Sequence, residues 1–406
     1  MSATVSERTS VVRMVLGILT LLVASGWLVV TLSDQSIRLN DFVQYWSAAV
    51  VHTGGGNPYD GQDLLPHQRA AMGDPDQRQA IMMWIPPWSL ALIAPLGLLP
   101  AKAAFLIWVV VQLTFVCVSV HWLWKVYGGP PGPVWAFAVG IGFTPTLLLL
   151  YFGQVGGLCL FGLAGFLYAH SRGRPVLAGA AAALTALKPH LLLAFGLILA
   201  LDALATGRGR RALVGGLLAF GCAAGVAWLI HPGVYPMYTA ALTAPSSTEV
   251  QQHPRDWPLP TFSYWMRMGI APDQFWVQFV PVVLACGWAA AHWFRRRDNW
   301  QWADELPLLV LVSVLAAPYG AWIFDLVLLL VPVVRVAPDL IRRPGVGVPL
   351  WVTYGVINLA TLGLPLLLPY FHWTGLYYFI VFAPALTVWY FVTRRMTTRV
   401  PPLAEK

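Results

Sequence analysis

The chain has 406 residues, of which 58% are hydrophobic and only 10% charged, and its mean hydropathy is +0.66. That composition excludes a soluble globular protein and describes one integral-membrane domain over residues 1–406. The net charge of +8 does not imply a nucleic-acid partner, because the basic residues cluster in short hinges between apolar runs. These hinges hold Arg172 and Arg174, then Arg208, Arg210 and Arg211, then Arg295, Arg296 and Arg297, then Arg342 and Arg343, and finally Arg394, Arg395 and Arg399. An excess of arginine in short loops marks the cytoplasmic side, so no nucleic acid is expected.

The first apolar run, residues 11–33, is too long for a signal-peptide core and lacks a small-residue cleavage site, so it reads as a retained span. The stretch that follows, 40–50, is the most informative in the chain. At about 100° per residue, Asp41, Gln44, Tyr45, Ala48 and His52 share one helix face, and Phe42, Trp46, Ala49 and Thr53 share the other. Such a helix beside a span is expected to lie in the bilayer interface and to hold the Asp41 carboxylate at headgroup level. The competing reading is that Asp41 only starts the helix, where carboxylates are favoured.

Thirteen apolar segments run from 11–33 to 376–393. With both termini in the cytoplasm the number of crossings is even, so one segment does not span. Segment 81–99, with Pro86, Pro87, Pro95 and Pro100, is the expected partial one. The fold class is therefore an all-α polytopic membrane protein with about 12 transmembrane or hairpin helices plus the interfacial amphipathic helix. Stretches 34–80, 231–273 and 370–375 are left outside. The first two contain nine acids, Asp34, Asp41, Asp60, Asp63, Asp74, Asp76, Glu249, Asp256 and Asp273.

Two further stretches are each too short for two full spans. One lies between the hinges at 171–175 and 207–211 and is interrupted at Lys188 and Pro189; the other lies between Arg297 and Arg335 and is interrupted at Pro318, Tyr319 and Gly320. Each is expected to be a hairpin of short helices with a broken tip. Irregular backbone at depth is tolerated only against protein or a water-filled cavity, so both tips should line one polar cavity on the outer side. Lys188 and Asp325 are the charged residues placed inside apolar runs and are functional candidates by default. Lys188, followed by His190, could meet a phosphate; it could equally pair with Asp325 or snorkel to the interface. Asp325 is expected about 8 Å down the second helix from Gly320. Gln154 marks a third break, either as a cavity-lining hydrogen-bonder or as a packing residue. Cys117, Cys159, Cys222 and Cys286 lie in apolar runs without metal-ligand spacing, so neither a disulfide framework nor a metal site is implied.

Several of these residues fall into a familiar order. Asp41, Phe42, Tyr45, Trp46 and Ala48 are followed by Gly56, Asn57, Pro58, Tyr59 and Asp60, then by Trp84, Pro86, Pro87 and Trp88. The Gly153 and Gln154 break, then Leu187, Lys188 and Pro189, then Pro318, Tyr319, Phe324, Asp325 and Leu326 continue the pattern. In this the chain resembles glycosyltransferase family 87, polytopic enzymes of GT-C fold similar to the polyprenol-phosphate-mannose-dependent α-1,2-mannosyltransferases of mycobacteria. A departure is Phe324, where many relatives carry Tyr.

The resemblance implies a bacterial, multi-pass enzyme of the inner or plasma membrane with an extracytoplasmic active site and no cofactor. Its partners would be a polyprenyl-phosphate-sugar donor, a lipid or glycan acceptor, and membrane lipids. Asp41 would be the catalytic base, and Lys188 would bind the donor phosphate, with Arg255 and Arg267 in reserve. Gln44, Tyr45, Gln154, His190, Tyr319 and Asp325 would contact substrate, and Trp84, Trp88 and Trp257 are candidates to stack on sugars. A secondary transporter, which also uses broken helices and midplane charges, is the rival reading.

Overall fold

The computed structural model describes residues 39–132, 134–244, 248–251, 259, 261–367 and 381–399. The first apolar run, Arg255 and Trp257 lie outside them. All regular structure among the described residues is helical, and the free cysteines form no disulfide.

The chain enters through α1 (Phe42–Thr53) and α2 (Gly61–Met72). The motif between them is a capping device. Asn57 Oδ1 accepts from the Tyr59 N–H at 3.0 Å, and Asp60 Oδ1 accepts from the Gln62 N–H at 2.9 Å, which starts α2. Asp60 is thus spent on a helix end. The proline-rich segment Pro87–Leu98 is a short apolar run broken twice between 3₁₀ and α geometry, since its prolines lack the donors a regular helix needs. Its 12 residues reach about 18 Å, too little to cross a bilayer.

Next come α3 (Ala101–Val126), α4 (Val134–Ile141), α5 (Thr144–Phe152) and α6 (Gly156–Ser171). The first hairpin is α7 (Pro175–Ala182) and α8 (Leu193–Ala205), joined by 3₁₀ turns around Lys188. The long α9 (Gly207–Ile230) crosses α7 so closely that a Cβ on Gly179 would stand 1.6 Å from the Ala212 carbonyl oxygen. Only glycine permits that backbone contact. Then follow α10 (Val234–Thr243), α11 (Phe262–Ile270) and α12 (Val280–Arg296). The second hairpin is α13 (Trp302–Leu315) and α14 (Leu330–Arg342), and α15 (Pro344–Leu367) and α16 (Ala383–Arg399) close the chain.

Four helical runs are long and apolar enough to cross a membrane: α3, α9, Phe275–Asn299 and Pro344–Leu362. The pair α4 and α5, bent by 65°, makes up to five. About 12 transmembrane or hairpin helices are expected from the sequence, and among the described residues four, or up to five, runs have the length and apolarity of a full span. Hydropathy registers apolar length, but Pro and Gly breaks cut that length into pieces such as Gly156–Ser171 and Pro175–Leu187.

The stretches around α2 and α10 pack on each other. Tyr59 and Tyr238 meet at 4.9 Å between ring centroids, Gly61 N–H donates to Gln251 Oε1 at 3.1 Å, and Ala80 N–H donates to the Val250 carbonyl at 2.9 Å. A second polar cluster ties the N-terminal end of α13 to the basic hinges. Glu305, 1% exposed, accepts from Arg296 at 2.9 Å and meets His292 at 2.8 Å, while Asp304 pairs with Arg335 at 2.9 Å. Glu305 is a buried carboxylate that apolar-run reading overlooked, because it falls in a helix's first turn, where acids are ordinary.

Candidate active site

α1 does not lie on the bilayer as an amphipathic surface helix. Phe42, Tyr45, Ala48, Ala49 and His52, drawn from both faces, are all buried. Protein covers the face expected to meet lipid, and a Cβ on Gly97 would stand 2.7 Å from the Ala49 backbone. What the helix does keep is its start. Asn40, in left-handed geometry at φ 45°, donates from Nδ2 to the Tyr151 carbonyl at 2.7 Å, tying the head of α1 to the end of α5.

Asp41 stands in the cap position, yet its carboxylate makes no capping bond. It accepts instead from Gln154 Nε2 at 2.9 Å, across more than 100 residues of chain. The simple cap reading therefore fails. Gln154 is presented by the α5–α6 break, where Gly153 adopts φ 66° and its carbonyl accepts from Trp108 Nε1 at 2.8 Å. A Cβ on Gly153 would lie 2.6 Å from Phe42 Cβ, so the break can approach α1 only as glycine.

The two hairpin tips complete the cluster. Gln154 Oε1 accepts from the Tyr45 hydroxyl at 2.6 Å and from Lys188 Nζ at 3.2 Å. Lys188, 8% exposed, pairs with Asp325 Oδ1 at 2.7 Å and lies 5.1 Å over the Phe324 ring. Asp325 Oδ2 also accepts from the Trp322 N–H at 3.3 Å. Asp41, Tyr45, Gln154, Lys188 and Asp325 thus form one continuous hydrogen-bonded row across four chain segments. The expected depth of Asp325 is corrected here. Residues 320–324 are not helical, so Asp325 opens its helix at the level of Lys188 rather than a turn and a half below the tip. The pairing foreseen as the alternative for Lys188 is present.

Around the row, the His190 and Tyr319 rings face each other edge-on at 6.3 Å, one from each tip. Tyr319 is 6.0 Å from Phe275, and the Arg267 guanidinium stacks at 5.4 Å over Phe275 and 5.3 Å over Tyr264. Arg267 is 8% exposed and its Nε has no hydrogen-bond partner among the described residues. Gln278 and Ser263 donate to the Pro318 and Ala316 carbonyls and hold the second tip against α11 and the start of α12. Gln44 is buried on α1 but joins no hydrogen bond of the row. Trp88 is buried against Phe220 at 5.6 Å, which assigns it to packing.

Burial raises the Asp41 carboxyl above its ordinary range, opposed by the Gln154 hydrogen bond and the Lys188 charge. A half-buried carboxylate held by one oxygen, its second oxygen in no hydrogen bond among the described residues, is suited to accept a proton. Among the described residues no group of three or more His, Cys, Asp or Glu could hold a metal ion.

The profile of glycosyltransferase family 87 matches residues 85–318, which include Gln154, Lys188, His190 and Arg267 and leave Asp41 and Asp325 on either side. No curated protein and no solved structure gives a significant match. Since the matched stretch covers more than half of the 406 residues, the chain belongs to glycosyltransferase family 87 and is by that membership a glycosyltransferase.

Proposed function

We propose that the protein moves a sugar, mannose or a similar hexose or pentose, from a polyprenyl-phosphate donor to an acceptor hydroxyl on the extracytoplasmic side of the membrane. The observation that carries this reading is the convergence of Asp41, Gln154, Lys188 and Asp325 in one row between two broken hairpin tips. Asp41 takes the proton of the acceptor hydroxyl while its oxygen attacks the anomeric carbon. The new C–O bond forms as the bond from the anomeric carbon to the phosphate oxygen breaks, and the electron pair leaves on the lipid phosphate. A single in-line displacement inverts the anomeric centre.

The leaving phosphate needs cations rather than an acid. Two carboxylates against one ammonium leave the row with one negative charge in excess. Lys188 alone therefore does not offset a phosphodiester, and Arg267, with Arg255 of the same outer stretch, supplies the rest. His190 and Tyr319, partly exposed at the tips, flank the sugar, and Tyr45, Gln154 and Asp325 line its floor.

The test is to incubate purified protein with radiolabelled polyprenyl-phosphate-mannose and membrane lipids. Label appearing in a covalent product with loss of the donor supports the reading. Flux of donor across a vesicle without covalent product would replace it with a transporter.

A further inference from the structure

The row at Asp41 has donor and acceptor roles that its own chemistry fixes. An ammonium can only donate, so Lys188 Nζ, 3.2 Å from the Gln154 side chain, must face the amide oxygen. The Tyr45 hydroxyl, at 2.6 Å, donates to the same oxygen. The amide nitrogen is then left pointing at Asp41 Oδ2, 2.9 Å away, and must donate to it. Turning the amide over would set its N–H groups against the ammonium and its oxygen against the carboxylate, two repulsive contacts in place of attractive ones.

Lys188 cannot swing away to relax this arrangement, because Asp325, 1% exposed, holds it at 2.7 Å. Nor can Gln154 retreat, since Gly153 is pinned between Phe42 and Trp108. We propose that Gln154 is the positioning residue of the general base: Lys188 and Tyr45 orient its amide, which grips one oxygen of Asp41 and turns the other toward the acceptor hydroxyl. This rests on Asp41 being the base. Lys188 and Asp325 then act on the chemistry through Gln154 as well as by charge. The charged and titratable groups facing Asp41 are Tyr45 from its own helix, Lys188 from the first tip and Asp325 from the second.

A glutamine that only filled space would leave the ionisation of Asp41 alone, and one that grips its carboxylate does not. The experiment uses the full chain in lipid vesicles. Infrared pH titration follows the carboxyl band that Asp41→Asn abolishes, alongside the pH profile of mannose transfer from polyprenyl-phosphate-mannose. Loss of a hydrogen bond to the charged form raises a carboxyl pKa by roughly one unit or more. Gln154→Leu, similar in volume, should move the Asp41 band and the acid limb of kcat upward together by that amount. Tyr45→Phe, which removes one of the two groups orienting the amide, should move both the same way by less. If Gln154→Leu does not fold, the Tyr45→Phe shift alone supports the proposal. An Asp41 band that stays in place in every variant that folds overturns it. Full transfer by Asp41→Asn would instead sink the identification of the base, whatever the band does.

Discussion

At the scale of single residues, the odd members of an apolar sequence are the ones that meet. Lys188 and Asp325 stand out as charges in hydrocarbon-length runs, and Gln154 as an amide at a break; the structure joins them with Asp41. Asp41→Asn should keep folding and lower transfer about 100-fold or more, measured as turnover of labelled donor. Lys188→Met should do something different. It leaves Asp325 buried with only the Trp322 N–H for a partner, and loss of one member of such a pair costs about 3–5 kcal/mol. A melt in detergent should therefore show marked destabilisation, which Lys188→Met/Asp325→Asn largely restores without restoring transfer. A Lys188→Met protein melting like the parent would make the lysine a substrate contact alone. What residue reading could not supply was the partner list, since the contacts of Gln154 span 34 to 113 positions.

At the scale of elements, the two hairpins with broken tips were legible because charge hinges and prolines bracket them. The surroundings of α1 were not: a face that is polar by periodicity can be covered by protein as well as by water. Gly153→Ala places a side chain at φ 66° and 2.6 Å from Phe42 Cβ. The left-handed conformation alone costs about 1–2 kcal/mol, so the variant should lose thermal stability and, by separating Gln154 from Asp41, transfer activity. The other end of α1 carries a pH response. His52 is buried beside His231, ring centroids 6.0 Å apart, and burial first and His231 second push it down to about 4 from its ordinary 6.5. Between those values the unfolded chain holds the extra proton, so stability is full above pH 6.5 and falls as pH drops toward about 4. Melting temperature against pH should show that slope in the parent and a shallower one in His52→Leu.

At the scale of the whole molecule, the stretches around α2 and α10 pack on each other, as Tyr59 with Tyr238 and Gly61 with Gln251 demonstrate. The proposed topology puts these stretches on the side away from the cytoplasm, so Asp76→Cys should react with a membrane-impermeant maleimide on intact cells, in a background with the four native cysteines replaced, and Ser171→Cys should not. Both positions are exposed, so access and not burial decides the result, and the reverse pattern would invert the topology. By itself the sequence determined the class, the helical content, the placement of basic hinges and the family, because composition, charge and short motifs are local properties of the chain. Tertiary structure alone decided how many helices are long enough to cross, that α1 is enclosed, that Asp325 is level with Lys188, and that Asp60 caps a helix while Asp41 does not. These depend on where the chain breaks and on which distant side chain supplies a buried group with its hydrogen bond, and a one-dimensional pattern carries no record of either.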